Sequence, residues 1–349
     1  MTGSADPSAV AAPPRGRVES SAVVEARTVE RPAVPLPRGR APDFIVVGHP
    51  KCGTTSLYHM LRGHPQIYMP DLKEPWFFVP ELHSRFRNAA YGRPDTIEQY
   101  LALFEDATPE QRAGEATPSY LFSRTAAARI AEALPHARIV AILREPVSFL
   151  RSLHLQFVQT HVEDECDFAT ALALEPARRG GERIPPRSPR PQVLLYSEHV
   201  RYVEQLRRFH AVFPPEQVLV LAYEDFRRDN RATVRTVLDF LGVDSTVAPA
   251  AIEANPSVRV RSQRLHGLLQ AVSVGRGPAS RAAKASVKTF TSRRLRRTAL
   301  RTLRRRVVFA RPRSADEALT LELRRRYLPE VLAVSDYLDR DLVSLWGYD

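Results

Sequence analysis

The sequence predicts an α/β fold: a single domain built on a parallel β-sheet with helices on both faces. Short, wholly apolar runs recur along the chain, and each is followed by a stretch of helical length and periodicity. Residues suited to holding an anion come directly after those runs, where the carboxyl ends of parallel strands gather and ligands bind.

Taken in order, residues 1–41 are rich in Ala, Pro, Val and Arg without sustained period and read as a disordered leader. Phe44-Ile45-Val46-Val47 is a buried strand that ends at Gly48. After a turn, a helix begins at Ser56 and stops near Gly63, His64 and Pro65. Arg138–Leu143 is the second strand, between helical segments Ser123–Leu134 and Val147–Thr160. Val218–Ala222 is the third, between Tyr196–Phe213 and Ala232–Leu241. Pro176–Gln192, with five Pro, two Gly and five Arg, reads as a long surface loop or lid. Asp316–Leu342 reads as a final helical segment interrupted at Pro329 that packs back on the core.

With 349 residues, 44% hydrophobic and 26% charged, the chain can bury one sizeable core. No run approaches the roughly 18 apolar residues of a membrane span, and the N-terminus lacks a signal-peptide core. The two cysteines, Cys52 and Cys166, exclude a disulfide framework and favour a reducing cytoplasm. The net charge of +12 is local: fourteen Lys and Arg and no acid lie between Arg276 and Arg313, so the remainder carries −2.

The first strand runs into Gly48-His-Pro-Lys51-Cys52-Gly53-Thr54-Thr55-Ser56. A glycine-containing strand-to-helix turn aims several backbone N–H groups and a helix N-terminus at one spot, which suits a phosphate-like anion. Gly53 permits close approach, Thr54, Thr55 and Ser56 offer hydroxyls, and Lys51 adds a mobile charge. The bland alternative is that Gly-Thr-Thr-Ser caps a helix. The arrangement is P-loop-like, and Gly48-x4-Gly53 has the Walker A spacing. Thr54 stands where the Walker lysine belongs, however, and neither later strand ends in a Walker B aspartate. A metal-dependent kinase therefore lacks its parts.

Pro50-Lys51-Cys52-Gly53-Thr54-Thr55-Ser56 resembles the 5′-phosphosulfate loop of the sulfotransferases that use PAPS (3′-phosphoadenosine 5′-phosphosulfate). The resemblance is nearest to the heparan-sulfate-type and bacterial members. It implies that Lys51 holds the phosphosulfate and stabilises the leaving phosphate. Arg144-Glu-Pro-Val-Ser-Phe-Leu-Arg-Ser152 is similar to the family's 3′-phosphate motif, with Arg144 gripping the phosphate and Ser152 donating to it. Tyr223-Glu-Asp-Phe226 resembles the element whose tyrosine lies near the nucleotide.

Leu72-Lys73-Glu74-Pro75-Trp76-Phe77-Phe78 resembles the Lys-Glu-Pro-His-Phe-Phe segment whose glutamate is the catalytic base, so the resemblance makes Glu74 the base. His64, His136 and His154 are alternatives of the family's other type. Two departures, Trp76 for the histidine and Ala116 where lysine is common, argue against a polyanionic glycan and leave the donor site unaffected.

The implied organisation is a leader over 1–41, a sulfotransferase domain over 42–270, a basic helical insertion over 271–315 and a completing C-terminal helix over 316–349. The implied activity moves a sulfuryl group from PAPS, leaving PAP, onto a hydroxyl or amine of a small-molecule, glycan or glycolipid acceptor, without a metal. Two rivals stand beside it: a P-loop kinase, and a basic nucleic-acid or membrane-surface binding protein. The second rests on 276–313, where Leu295, Leu303, Val307 and Phe309 lie among arginines as in a basic amphipathic helix. An anionic membrane surface is the expected partner of that segment, nucleic acid is not, and the expected location is the cytoplasm or the inner membrane face.

Overall fold

The computed structural model describes residues 39–83, 93–186, 188, 190–247 and 316–349, with two short strands, 259–260 and 309–310. Residues 1–38 of the expected leader over 1–41, and most of the basic segment, lie outside the described residues.

Five parallel strands form the sheet: β1 Phe44–Gly48, β2 Ile67–Tyr68, β3 Arg112–Ala116, β4 Arg138–Leu143 and β5 Val218–Ala222, in the order β2-β3-β1-β4-β5. Every residue of β1 is buried, so the central strand is covered on both faces, as its unbroken apolar run requires. Each side chain of Phe44–Val47 is fully enclosed and contributes roughly 1.5–3 kcal/mol relative to exposure.

The helices are α1 Thr54–Arg62, α2 Pro80–His83, α3 Ile97–Leu101, α4 Ala126–Ala133, α5 Pro146–Thr160, α6 Phe168–Ala173 and α7 Glu175–Arg179. They continue with α8 Tyr196–His199, α9 Tyr202–His210, α10 Tyr223–Arg228, α11 Asn230–Leu241, α12 Glu317–Tyr337 and α13 Leu342–Trp346. Helix α1 packs on α11, whereas α12 packs on α5 and α9. A strand followed by a helix over the sheet is the repeating unit, as the alternation of apolar and helical segments predicts.

Four expectations need correction. First, β2 and β3 are strands that no apolar run announces. Strand β3, Arg-Ala-Gly-Glu-Ala, lies beside β1 because Gly114 gives the Phe44 ring its space; a Cβ there would sit 2.2 Å from the ring. Second, Tyr196–Phe213 is not one helix. It breaks between α8 and α9, and the Gln205 amide donates to the carbonyls of Glu198 and His199 at the break.

Third, Pro176–Gln192 is not wholly a surface loop: its start is α7, and Arg178 there is fully buried against Glu163. Fourth, Pro329 does not interrupt α12, which runs unbroken from Glu317 to Tyr337 with Leu323, Tyr327, Val331 and Val334 buried on both sides of the proline. The helical reading of the basic segment also fails at Phe309, which with Ala310 pairs antiparallel to Arg259–Val260.

Candidate active site

The loop after β1 turns through Lys51, in the left-handed region at φ 65°, and Gly53 at φ 85°. Gly53 is the N-cap of α1, no side chain caps that helix, and its first turn contains no acid. The Ser/Thr run therefore does not cap its own helix, and the free N–H groups with the helix dipole face outward as an anion seat. A Cβ on Gly53 would meet the Phe226 ring at 2.9 Å, so glycine is needed on steric grounds as well.

No carboxylate among the described residues pairs with the Lys51 ammonium, and burial first, then the Arg144 charge, lowers its pKa. An anion bound beside it would reverse that penalty. Cys52 is fully buried, with its thiol pushed up to about 12 by burial, and the thiol braces the loop by donating to the Pro50 carbonyl at 3.6 Å.

Arg144 follows β4, the strand beside β1. Its Nη1 donates to the Lys51 carbonyl at 2.9 Å, its Nε donates to Ser148 Oγ at 2.9 Å, and the guanidinium lies 4.7 Å from the centre of the Tyr223 ring. Glu145 then caps α5, accepting from the Val147 and Ser148 N–H groups ahead of Pro146 in the first turn. Ser148 and Ser152 are four residues apart on one face of α5. Ser148 holds Arg144, while Ser152 is buried one turn further along.

Glu74 sits at φ 61° and Trp76 at φ 60°, both unusual for residues with a Cβ. The Lys73 ammonium donates to Glu74 Oε1 at 2.6 Å, and the Trp76 indole N–H donates to Oε2 at 3.2 Å. Arg93 lies over the Trp76 ring at 4.4 Å. Beneath this turn Glu115 is buried and accepts hydrogen bonds from Tyr100, Tyr120 and Thr117 at 3.0, 2.9 and 2.7 Å. Burial raises its pKa to about 7.

One cavity of about 900 Å³ brings together Lys51, Gly53, Thr54, Thr55, Ser56, Glu74, Arg144 and Tyr223. Cys52 and Ser152 do not line it, and neither do His64, His136 or His154. His64 is tied to the Asp244 carbonyl and His154 to that of Glu165, while His136 is exposed. Lys51, Glu74 and Trp76, three left-handed non-glycine residues, all border this space, where such strain concentrates in working sites. Its far wall includes Phe122, Phe157, Val193 and His199, which carry no signal in the sequence beyond being apolar or aromatic.

A family model described as the sulfotransferase family matches residues 42–247, more than half of the chain. The heparan sulfate glucosamine 3-O-sulfotransferase 3A1 of Mus musculus is 29% identical over 236 residues, covering 67% of this chain and 54% of that protein. The membrane-associated sulfotransferase kil1 of Dictyostelium discoideum is 37% identical over 106 residues, 30% of this chain and 21% of that protein. The chain thus spans about half the length, or less, of these curated relatives. The crystal structure of a sulfotransferase from Alicyclobacillus acidocaldarius superposes with a TM-score of 0.60 at 26% identity, over 88% of this chain and 99% of that one. The two strand-end anchors lie within the matched region and in one cavity, and the chain belongs to the sulfotransferase family.

Proposed function

We propose that the protein transfers a sulfuryl group from PAPS to a hydroxyl or amine of a small-molecule, glycan or glycolipid acceptor. The observation that carries this reading is the meeting of Lys51, the α1 N-terminus, Arg144 and Glu74 around one cavity. The seat fits a nucleotide carrying two phosphate-type groups. An uncapped helix N-terminus and an ammonium with no carboxylate partner among the described residues suit the 5′ end, and a guanidinium just past the adjacent strand suits the 3′-phosphate.

PAPS supplies the reactive group: the acceptor oxygen or nitrogen bonds to sulfur as the bond from sulfur to the 5′-phosphate oxygen breaks, and PAP leaves with that electron pair. Glu74 takes the acceptor proton, its carboxylate held by Lys73 and Trp76. Lys51 and the hydroxyls of Thr54 and Thr55 stabilise the charge gathering on the departing phosphate. Ser56 and Tyr223 line the nucleotide end, and Ser152 lies buried on α5 one turn beyond Ser148, the residue that holds Arg144.

The reading extends to a reducing cytoplasm, with the basic segment 276–313 resting on an anionic membrane face. In support, both cysteines are free and no described helix is long and apolar enough to cross a membrane. The test of the whole reading is a magnesium-free thermal-shift titration. PAP is expected to raise the midpoint by mass action, and ATP with magnesium to raise it far less. A larger, magnesium-dependent shift with ATP overturns the assignment in favour of a kinase.

A further inference from the structure

Among the described residues only Lys51, Glu74 and Arg144 bring charge to the lining of the cavity: both cations belong to the nucleotide seat, and the Glu74 carboxylate serves the acceptor side. The acceptor end is walled by Leu82, Phe122, Leu153, Phe157, Val162 and Val193, with the neutral polar side chains of Gln156, Gln159 and Thr160 among them. The Phe122 ring lies flat on the His199 imidazole, with centroids 4.0 Å apart and planes at 11°.

His199 adds no charge to that wall. Its Nε2 hydrogen bonds to the Val193 carbonyl at 2.9 Å, so that nitrogen carries the proton, and burial lowers the pKa to about 4. The ring is neutral at physiological pH.

Arginines do gather nearby, behind Leu82 and Phe122, around a second cavity of about 320 Å³. Four of the five are engaged by carboxylates, and the Arg190 Nε donates to the Glu81 carbonyl at 2.8 Å. Arg124, Arg179 and Arg201 converge on Glu198 at 3.5, 3.3 and 3.3 Å, and Arg208 pairs with Glu204 at 3.0 Å. A sulfated or carboxylated acceptor in the main cavity would meet the Glu74 carboxylate and an apolar wall. Among the described lining residues beyond the nucleotide seat it would find no cation to compensate for its lost water. A neutral molecule would gain from the same wall.

Resting on the sulfotransferase reading, we propose that the acceptor is an uncharged alcohol or phenol with an apolar body. Its hydrophobic part packs on Phe122, Phe157, Val162 and Val193, and its hydroxyl reaches Glu74. The size fits: a cavity of about 900 Å³ is at the upper end for small-molecule sites, enough for a nucleotide and a compact acceptor together.

The test is equilibrium binding of 1-naphthol, decan-1-ol and a heparan-type N-sulfated oligosaccharide to the full chain, with and without PAP. The two neutral compounds are expected to bind saturably and the oligosaccharide not to compete with them. Phe157→Asp is expected to weaken 1-naphthol binding about tenfold or more, and Phe157→Leu to restore most of it, while the PAP-induced thermal shift stays unchanged. Val162→Asp serves as a second variant if Phe157→Asp fails to fold. Competition by the oligosaccharide, no binding of either neutral compound, or wild-type affinity in both Asp variants would overturn the proposal. A protein that ignores PAP yet binds 1-naphthol would refute the donor reading and leave the apolar wall standing.

Discussion

The Arg144 guanidinium donates to the main-chain carbonyl of Lys51 at 2.9 Å, so the anchor on β4 is tied directly to the loop on β1. The two halves of the nucleotide seat are thus held at a fixed separation before any ligand arrives, which lowers the ordering cost of binding.

Arg144→Ala is expected to abolish most of the preference for PAP over ATP. A charged hydrogen bond to the 3′-phosphate is worth roughly 1.5–3 kcal/mol, about tenfold to a hundredfold in affinity. Competitive titration of the two nucleotides, read as Kd ratios, measures it. Ser148→Ala, which frees the Arg144 Nε and removes a local bond to the Glu145 carbonyl, should produce a smaller change in the same direction.

Lys51→Ala is expected to leave the thermal midpoint of the free protein unchanged or higher, because it removes a cation whose charged form burial and Arg144 already disfavour. Turnover should fall by roughly a hundredfold or more, the scale of losing a transition-state charge donor. Release of PAP from PAPS, followed by chromatography, reads this out. Near-normal turnover in a folded variant would remove Lys51 from the reaction.

Glu74→Gln keeps the shape of the side chain and its contact with the Trp76 indole, and removes the proton acceptor. Sulfation should be largely lost while PAP affinity is unchanged. A joint collapse of activity and PAP affinity would make Glu74 a structural residue of the donor site.

The buried pair of Arg178 and Glu163, with two contacts of 2.7 Å, also receives the Tyr196 hydroxyl at 3.0 Å. Glu163→Ala strands a buried cation and should cost about 3–5 kcal/mol of stability. Combining it with Arg178→Met should recover much of that loss. Urea unfolding of the single and double variants checks the order.

Glu115 makes stability fall as pH rises. Its carboxyl ordinarily titrates at 4.5 and is raised to about 7 in the fold, so the folded chain keeps a proton that the unfolded chain releases. The associated stability is complete below pH 4.5 and is lost as pH climbs through 7, an amplitude of about 3 kcal/mol. His49, lowered to about 3, and His199, lowered to about 4, act in the opposite sense, and their contribution is lost as pH falls below 6.5. Glu115→Gln should therefore remove the fall in stability between pH 4.5 and 7 that Glu115 imposes against the histidines, and leave the slope above pH 7 unchanged. A variant with the wild-type slope between pH 4.5 and 7 would refute this assignment.

The sheet was legible wherever burial on both faces forces an unbroken apolar run, which is why β1, β4 and β5 can be read off the chain. Strand β3 escapes that test because its apolar content is small. It is buried through Gly114, which admits Phe44, and Glu115, which three hydroxyls satisfy. Phe44 is 70 residues from Gly114 and Tyr100 is 15 from Glu115, as Glu163 is from Arg178, so periodicity cannot reveal these contacts. The anion loop was legible from residue chemistry alone, Glu74 only through resemblance, and the apolar acceptor wall not at all. Phe122, Phe157 and Val193 look like ordinary core positions until the strands bring them to one rim.

The nucleotide end is also braced from the far end of the folded unit. Trp346 donates from its indole to Glu224, which accepts the Glu145 N–H, and the Tyr348 hydroxyl donates to the Glu145 carboxylate. All five strands have been synthesised by Ala222, but these two aromatic struts leave the ribosome much later. A nascent chain can therefore complete its sheet while the turn that holds Arg144 still lacks these two braces, and a firm grip on a nucleotide comes after the sheet rather than with it.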